Sequence, residues 1–405
     1  MEEWEIFHLE QEHLSLAFTN AQWKIKEAHR ETGYGIRVWK DGRIGFGYCQ
    51  QEEELEEATA RAKELAKFSP KTRFSFTTDK GAARVKSTDK QLEKMGMEEW
   101  RGMLDQLREG AKKAEHLRIY TDIYRIKTSI ENPTFQKNYK KTAFSLYVEA
   151  TIKDGFGYYV YSGIGLPSQA WENIGETAAR MAAETRGAKK PGAGRYDVIF
   201  SPEALRDILG VLEPSFSGDW KRKGISQWVQ QQGKKVADER LSIYDDGAVA
   251  GSQIRPWDDE GVRSKKIPLL ENGVMKNFLY DRETAALEGI IGEGNCERGE
   301  YAATPTVQRS NWVISPGKGI EQDDYLYIQS LHGTHTANTT TGDMGVEINS
   351  AWNVKNGKRT AVRGFLITEN IFNLLNKIKS LGREINAYSD LLAPDILFGD
   401  IMVVV

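Results

Sequence analysis

The chain has 405 residues, of which 40% are hydrophobic and 28% charged, and its formal net charge is −3. This length favours two domains, and the composition is typical of a folded globular protein rather than a disordered one. The charge excludes the basic field that phosphate backbones require, so nucleic acid is not an expected partner. Membrane insertion is not expected either, because no apolar run reaches the roughly 18 residues that a span needs.

Cysteine usage and the amino terminus indicate the compartment. Cys49 and Cys296 lie too far apart in sequence to form a C-x-x-C site, and two thiols do not make a disulfide framework. The amino terminus carries Glu2, Glu3 and Glu5 where a signal peptide would need positive charge and then an apolar run. Both features predict a protein of the reducing cytoplasm.

The first predicted elements are a hairpin and a helix. Residues 33–50 alternate apolar and polar side chains about an Asp-Gly turn at Asp41, which predicts a β-hairpin. Residues 52–68 then place apolar side chains at three- and four-residue spacing, with Glu and Lys on the remaining faces. This spacing predicts an amphipathic helix.

The same pattern returns at residues 144–161, about a second Asp-Gly turn, with a helix predicted over residues 170–185. An aromatic-Gly-aromatic sequence follows each turn, so we interpret the two units as a strand-strand-helix repeat. The alternative is that aromatic strands with glycines recur by chance. Between the units, residues 98–117 have one apolar side and predict another helix. These elements form the expected N-terminal α/β domain, residues 1–190.

A segment rich in Gly, Pro and Lys separates the two expected domains. Residues 186–194 lack periodicity, which predicts a linker. A short strand is predicted at 196–200, and Ser201 followed by proline is a good helix start. This helix should run to about Leu212, because Pro214 lacks an amide donor and ends it.

The rest of the chain predicts a β-rich second domain over residues 195–405. From Ile243 onward, short alternating runs are broken by Asp-Gly, Asn-Gly and Pro-Gly pairs. The clearest hairpin has its turn at Asn356, between strands predicted at 351–354 and 360–367. The expected fold class is therefore α+β with two domains.

One stretch of this second domain is specific enough to indicate a family. It reads Pro-Trp-Asp-Asp-Glu-Gly-Val at 256–262, Leu-Leu-Glu-Asn-Gly-Val-Met at 269–275 and Phe-Leu-Tyr-Asp at 278–281. The stretch resembles the TldD/PmbA family, whose pattern the N-terminal hairpin and helix also fit. The resemblance implies a two-part assembly, in which TldD-like members carry a His-Glu-x-x-x-His helix that binds a metal and supplies a carboxylate base.

The matching helix of this chain lacks that motif. The Gly-Asp-Trp sequence at 218–220 resembles the one after the family's metal helix, and alignment on it puts the histidine positions at Leu209 and Pro214 and the glutamate position at Gly210. None of the three can perform its role, because leucine and proline have no lone pair for a metal and glycine has no side chain. The family's late cysteine is also missing, since none follows Cys296.

The resemblance therefore implies the PmbA (TldE) branch, a subunit without catalytic residues that pairs with a TldD-like metalloprotease subunit. In this interpretation the chain binds no metal, zinc is expected in the partner, and the assembly cuts peptides. Two alternatives remain. One is a freestanding homo-oligomeric binding protein, such as a homodimer. The other is a metallopeptidase with a non-standard metal site.

That non-standard site would use His332 and His335, the only local pair of histidines, with Asp343 as a third ligand. The Gly- and Thr-rich sequence around them indicates an irregular loop, so side chains that satisfy backbone groups in a tight loop are favoured over a metal. In a third interpretation the loop contacts an extended peptide or the partner subunit through His332, His335, Asn338 and Thr340.

The densest cluster of carboxylates in the family-like stretch is formed by Asp258, Asp259 and Glu260. Paired carboxylates can do acid-base work. We favour a structural or assembly role, with the charges in solvent or bound to backbone amides, because catalytic and non-catalytic branches of the family share the motif.

Overall fold

The computed structural model describes residues 2–19, 21–292 and 294–405. Its elements have the α+β composition expected from the sequence, with a separate sheet system in each half of the chain. Among the described residues, no helix has the length and apolar character that crossing a membrane requires.

Six antiparallel strands form one sheet in the N-terminal half. They are β1 (Glu2–Thr19), β2 (Gln22–Lys40), β3 (Arg43–Cys49), β4 (His116–Asn132), β5 (Phe135–Ile152) and β6 (Gly155–Gly163). Their order across the sheet is β3-β2-β1-β4-β5-β6. Because β1 and β4 are adjacent at the centre, each half of the sheet is a three-stranded meander.

Helices cover one face of this sheet. They are α1 (Leu55–Ala66), which follows a 3₁₀ turn at Glu52–Glu54, α2 (Lys90–Lys94), α3 (Met97–Gly110) and α4 (Trp171–Glu184). The helix α1 packs on β2 and β3, and α4 packs on β5 and β6, with α3 beside it. The predicted strand-strand-helix repeat is therefore present in both halves of the sheet, with a third strand in each unit.

Glycines in the third strand of each unit allow the helix to approach closely. A Cβ atom at Gly45 would lie 1.8 Å from the carbonyl oxygen of Ala62 on α1, and one at Gly157 would lie 2.1 Å from the carbonyl oxygen of Ala178 on α4. Real Cβ atoms do not tolerate such distances. The repeated aromatic-Gly-aromatic sequences thus mark two equivalent contacts between strand and helix.

The prediction that a helix continues from residue 98 to residue 117 is wrong at its end. The helix α3 ends at Gly110, and His116 already begins β4. A Cβ atom at Gly110 would lie 1.9 Å from the carbonyl oxygen of Glu172, so the chain passes tightly against α4 where the helix stops. Beyond that point the apolar residues follow the alternation of a strand paired with β5.

Among the described residues, fifteen further strands and the remaining helices belong to the C-terminal half, and β7 (Gly194–Phe200) is their first strand. The others are α5 (Pro202–Leu212), α6 (Gly218–Arg222), β8 (Ile243–Asp246), β9 (Lys266–Glu271), β10 (Val274–Met275), α7 (Arg282–Glu288), β11 (Cys296–Glu297), β12 (Thr306–Val307), β13 (Trp312–Ile314), β14 (Tyr325–His332), β15 (Asp343–Lys355), β16 (Lys358–Val362), β17 (Phe365–Asn370), α8 (Ile371–Leu374), β18 (Ile378–Leu381), β19 (Asn386–Tyr388), β20 (Leu391–Ala393) and β21 (Ile396–Val404).

These strands form two larger sheets around one core. The first has the order β14-β7-β21-β17-β15-β16, and β14 also pairs with β15, so five of its strands close into a ring. The second has the order β10-β9-β8-β13-β20-β19. Side chains of α5 and of both sheets share a single hydrophobic cluster, so this helix lies at the centre of the C-terminal half.

The predicted hairpin turn at Asn356 is present. Asn356 has φ 50° and Gly357 has φ 73°, the paired left-handed conformation of a two-residue hairpin loop. The strand predicted over residues 360–367 is interrupted, however. The strand β16 ends at Val362 and β17 begins at Phe365, because Gly364 adopts φ 69° and redirects the chain.

Candidate functional site

The helix α5, where the sequence resemblance puts the family's metal motif, has one apolar and one polar face. The Ser201 hydroxyl accepts the amide N–H of Ala204 at 3.3 Å and caps its first turn. The apolar face lies in the C-terminal core and consists of Leu205, Ile208, Leu209 and Leu212. The opposite polar face, at three- and four-residue spacing, consists of Glu203, Arg206, Asp207 and Gly210.

A cavity of about 400 Å³ lies beside the first turn of α5, between the two halves of the molecule. The N-terminal sheet contributes Tyr158, and the C-terminal half contributes Tyr327 and Tyr388. The Glu203 carboxylate lies in this cavity and accepts a hydrogen bond from the side-chain amide of Gln329 at 2.9 Å. The cavity therefore combines aromatic walls with two carboxyl groups, those of Glu203 and Asp395.

Burial raises the pKa of Glu203 to about 7, and the hydrogen bond from Gln329 opposes that rise only in part. A carboxyl group that titrates near neutrality can donate as well as accept hydrogen bonds, as a polar ligand such as a peptide backbone requires. In the sequence, Glu203 is only the residue that follows the Ser-Pro helix start. The spacing of Glu203 and Asp207 on one helical face was the only sequence trace of this site.

The substitution Glu203→Gln is expected to make stability less dependent on pH. Because burial raises the pKa of Glu203 from 4.5 to about 7, the folded state binds more protons than the unfolded state between these values. The stability contributed by this group is present below about pH 4.5 and is lost as pH rises through 7, by up to about 3 kcal/mol.

Urea unfolding near pH 5 and pH 8 measures this effect. The loss of stability from pH 5 to pH 8 should be smaller for Glu203→Gln than for the parent protein. Glu57→Gln, on the exposed side of α1, is the matched control. An identical pH dependence in parent and Glu203→Gln would contradict the assignment.

Further along α5, an ion-pair network joins the polar face to Asp390, the residue before strand β20. Arg206 and Arg309 both bind the carboxylate of Asp390, at 3.0 and 2.7 Å, and Arg309 also binds Glu213 at 2.7 Å. Burial alone would raise the pKa of Asp390, but the two arginines lower it below its ordinary value. The carboxylate is therefore charged at neutral pH and pairs with both arginines.

The three motif positions lie in different surroundings. Leu209 is 4% exposed and belongs to the C-terminal core. Gly210 lies on the polar face, where a Cβ atom would meet nothing within 4 Å. Pro214 follows in a 3₁₀ turn, Glu213–Phe216, that continues the helix. None of these three residues offers a side-chain donor atom to a metal.

The loop with the paired histidines begins where β14 ends. His332 is the last residue of β14, and Gly333 with φ 96° leads into a 3₁₀ turn, Thr334–Thr336, that contains His335. Both histidines are exposed. His332 lies near α5, where its charge and that of Arg206 oppose the rise that burial causes in the pKa of Asp207.

Polar side chains of this loop satisfy its backbone. The Asn338 side chain accepts the amide N–H groups of Thr340 and Thr341, each at 3.0 Å, and the Thr340 carbonyl accepts from Gln227 at 2.8 Å. Asp343 binds Thr341 and Asn370 rather than a histidine. Among the described residues, the groups close enough to share a metal ion do not include His332, His335 or Asp343.

The carboxylate cluster of the family-like stretch is buried between the two halves of the chain. The Arg37 guanidinium lies between Glu5 and Glu260, at 2.8 and 2.6 Å, and Arg298 also binds Glu5 at 2.6 Å. Asp259 accepts the amide N–H of Arg298 at 2.8 Å. The expectation that these charges bind backbone amides is confirmed, and the option that they lie in solvent is wrong, because the N-terminal sheet covers them.

Cys296 lies close enough to Asp258 and Glu260 for the three to surround an ion, but both oxygens of Glu260 are already engaged, whereas Oδ2 of Asp258 is buried without a hydrogen-bond partner among the described residues. Glu260 accepts from Arg37 with one oxygen and from the amide of Arg282 with the other, at 2.6 and 2.7 Å. Burial and the charge of Glu260 raise the pKa of Asp258, and burial raises the pKa of the Cys296 thiol. The cluster joins the two halves of the molecule.

Comparison with known proteins places this fold and helix in a family. Residues 193–405 match the PmbA/TldA metallopeptidase C-terminal domain, and residues 4–66 match PmbA/TldA metallopeptidase domain 1. The first match alone covers more than half of the chain. The chain belongs to the PmbA/TldD family, which confirms the resemblance seen in the sequence.

Two relatives show how far the similarity extends. An uncharacterized protein of Methanocaldococcus jannaschii is 33% identical over 220 residues, which is 52% of each chain. A protein of Methanothermobacter thermautotrophicus named metalloprotease is 25% identical over 381 residues, 88% of this chain and 82% of the relative.

Solved structures extend the similarity to the whole fold. A Thermotoga maritima protein, described as a candidate modulator of a DNA gyrase, has a TM-score of 0.89 at 25% identity and covers 99% of this chain and 96% of its own. TldE from Thermococcus kodakarensis has a TM-score of 0.85 at 21% identity and covers 100% of this chain and 97% of its own. At this identity, the second comparison shows a shared fold.

Proposed function

We propose that this chain is the non-catalytic, TldE-like subunit of a cytoplasmic metalloprotease assembly that cuts peptides, and that a TldD-like subunit supplies the zinc. The observation that carries the proposal is α5. In a family of metallopeptidases, the helix that should hold the metal presents Leu209, Gly210 and Pro214, and none of these side chains can bind an ion or polarise a water molecule.

The subunit's own contribution is to shape the chamber and hold the peptide. Glu203 and its aromatic neighbours offer hydrogen bonds and apolar contacts to an extended chain at one end of α5. The exposed side chains of His332, His335, Asn338 and Thr340 lie on the loop beside the same helix and contact the peptide or the partner subunit. Backbone recognition with few side-chain pockets suits substrates of varied sequence.

Co-purification from the native host tests the assembly. An affinity-tagged copy of the full chain, recovered under mild conditions, should bring down a protein with the His-Glu-x-x-x-His motif in stoichiometric amount. Mass measurement of the recovered particle then gives its composition. Recovery of a homodimer alone, with no such protein, would contradict the proposal and support a freestanding binding protein.

A further inference from the structure

Two histidines and a glutamate come together on one face of the N-terminal sheet. His13 on β1 lies directly opposite His29 on β2, and Glu27 precedes His29 by two positions. Directly opposed residues are neighbours, and residues two apart on a strand share a face. The three side chains therefore meet although 16 positions separate the first from the last.

The spacing of their donor atoms suits a single metal ion. Nδ1 of His13 is 3.8 Å from Oε2 of Glu27, and Nδ1 of His29 is 3.0 Å from Oε1 of Glu27. One donor atom from each residue lies within 4.8 Å of the other two. Tetrahedral ligands about 2.0–2.2 Å from Zn²⁺ are about 3.3–3.6 Å apart, so small side-chain rotations would bring all three to an ion.

Asp122 and Tyr124 hold the His13 ring in place, as neighbouring groups do for histidines that bind metal ions. Its Nε2 atom lies 3.0 Å from Oδ1 of Asp122, whose other oxygen accepts from the Ser145 hydroxyl at 3.3 Å. The ring of Tyr124 stacks on the imidazole with centroids 4.2 Å apart. Metal-bound histidines characteristically donate their second N–H to a carboxylate, which fixes the tautomer.

The hydrogen bond to Asp122 uses Nε2 of His13 and leaves Nδ1 on the side of the Glu27 carboxylate, 3.8 Å away. A metal ion between these two atoms would bind both of them.

The cluster of His13, Glu27 and His29 is open to solvent on one side, so an ion could reach it. His13 is 8% exposed, whereas Glu27 and His29 are 56% and 42% exposed, so the site has a buried base and an open side. The strand β3 pairs with β2 only from Tyr34 onward, so the ligands on β2 lie at a sheet edge. An ion here would tie that edge to β1.

We infer that His13, Glu27 and His29 form a binding site for a borderline divalent metal ion, with Zn²⁺ the best match. Two imidazoles and a carboxylate are ligands that Zn²⁺ prefers, and three protein ligands leave one position for water or another donor. The sequence-based expectation was that the chain binds no metal, and it rested on the α5 positions. This site is on the other domain and does not depend on the proposed partner.

Titration of Zn²⁺ into the full chain, with any affinity tag removed and metal stripped by a chelator, tests the inference. Calorimetry, and elemental analysis after gel filtration, should both show one ion bound per chain. Co²⁺ in its place should give the absorption of a tetrahedral site. Absence of stoichiometric Zn²⁺ binding would overturn the inference.

Three variants locate the ion. His29 is exposed, and His29→Ala removes one ligand, so the affinity for Zn²⁺ should fall by more than about 100-fold. Asp122→Asn should lower the affinity about 10- to 100-fold, because it alters the residue that orients His13. His335→Ala is the matched control and should leave affinity unchanged. Loss of binding in His335→Ala with retention in His29→Ala would overturn the inference in favour of the loop. Zn²⁺ should also raise the melting temperature of the parent but not of His29→Ala.

Discussion

Replacing Arg37 by alanine is expected to destabilise the protein by roughly 3–5 kcal/mol, the largest effect that we predict for a single substitution. The Arg37 side chain is 3% exposed and lies between two carboxylates, Glu5 and Glu260, that are each 1% exposed. Its removal leaves buried negative charges without their main counterion. Chemical unfolding followed by tryptophan fluorescence measures the change.

Arg30→Ala is the matched control, because Arg30 lies on the same strand and binds Glu10 at 3.2 Å while 63% exposed. An exposed pair contributes at most about 1 kcal/mol. If Arg37→Ala lost no more stability than Arg30→Ala, the buried network would not be what joins the two halves of the molecule.

The second large effect is expected at Gly45. A Cβ atom there would lie 1.8 Å from the carbonyl oxygen of Ala62 and 2.7 Å from the amide nitrogen of Ala66, both on α1. The neighbouring atoms are helix backbone, so Gly45→Ala must displace the whole helix. We expect a loss of about 3 kcal/mol, at the upper end of the usual cost of overpacking.

Gly102→Ala separates this steric cost from the general effect of replacing glycine. Gly102 lies on the exposed side of α3, where a Cβ atom meets nothing within 4 Å. The same substitution should therefore stabilise the protein by about 0.5–1 kcal/mol. Equal unfolding midpoints for the two variants would show that α1 does not pack against β3 as described.

Features coded by neighbouring residues could be predicted from the sequence. The first Asp-Gly turn was recognisable because Asp41 and Gly42 suit left-handed backbone, and they adopt φ 52° and 78°. The cap of α5 was recognisable because Ser201 and Pro202 have local roles. The end of α3 was missed, since the spacing of apolar residues after Gly110 fits a helix and a strand equally well.

Features built from distant residues could not be predicted in this way. For Asp258 to Glu260 the sequence left solvent and backbone amides as alternative surroundings, because nothing near them in sequence indicates that Arg37 covers them. The cavity beside Glu203 could not be predicted either, because Tyr158 in its wall comes from the N-terminal half of the chain. His13 and Asp122 are 109 positions apart and meet only because β1 and β4 are neighbours in the sheet.

The most direct test of the proposed function is peptide cleavage by the isolated chain and by the chain combined with its TldD-like partner. We expect no cleavage by the isolated chain, with or without added Zn²⁺, because Leu209 and Gly210 of α5 and Pro214 in the turn after it offer no metal ligands. The combination should cleave unfolded peptides in a chelator-sensitive manner, and should not do so when the partner's motif histidines are replaced by alanine. Robust chelator-sensitive cleavage by the isolated chain would contradict the account.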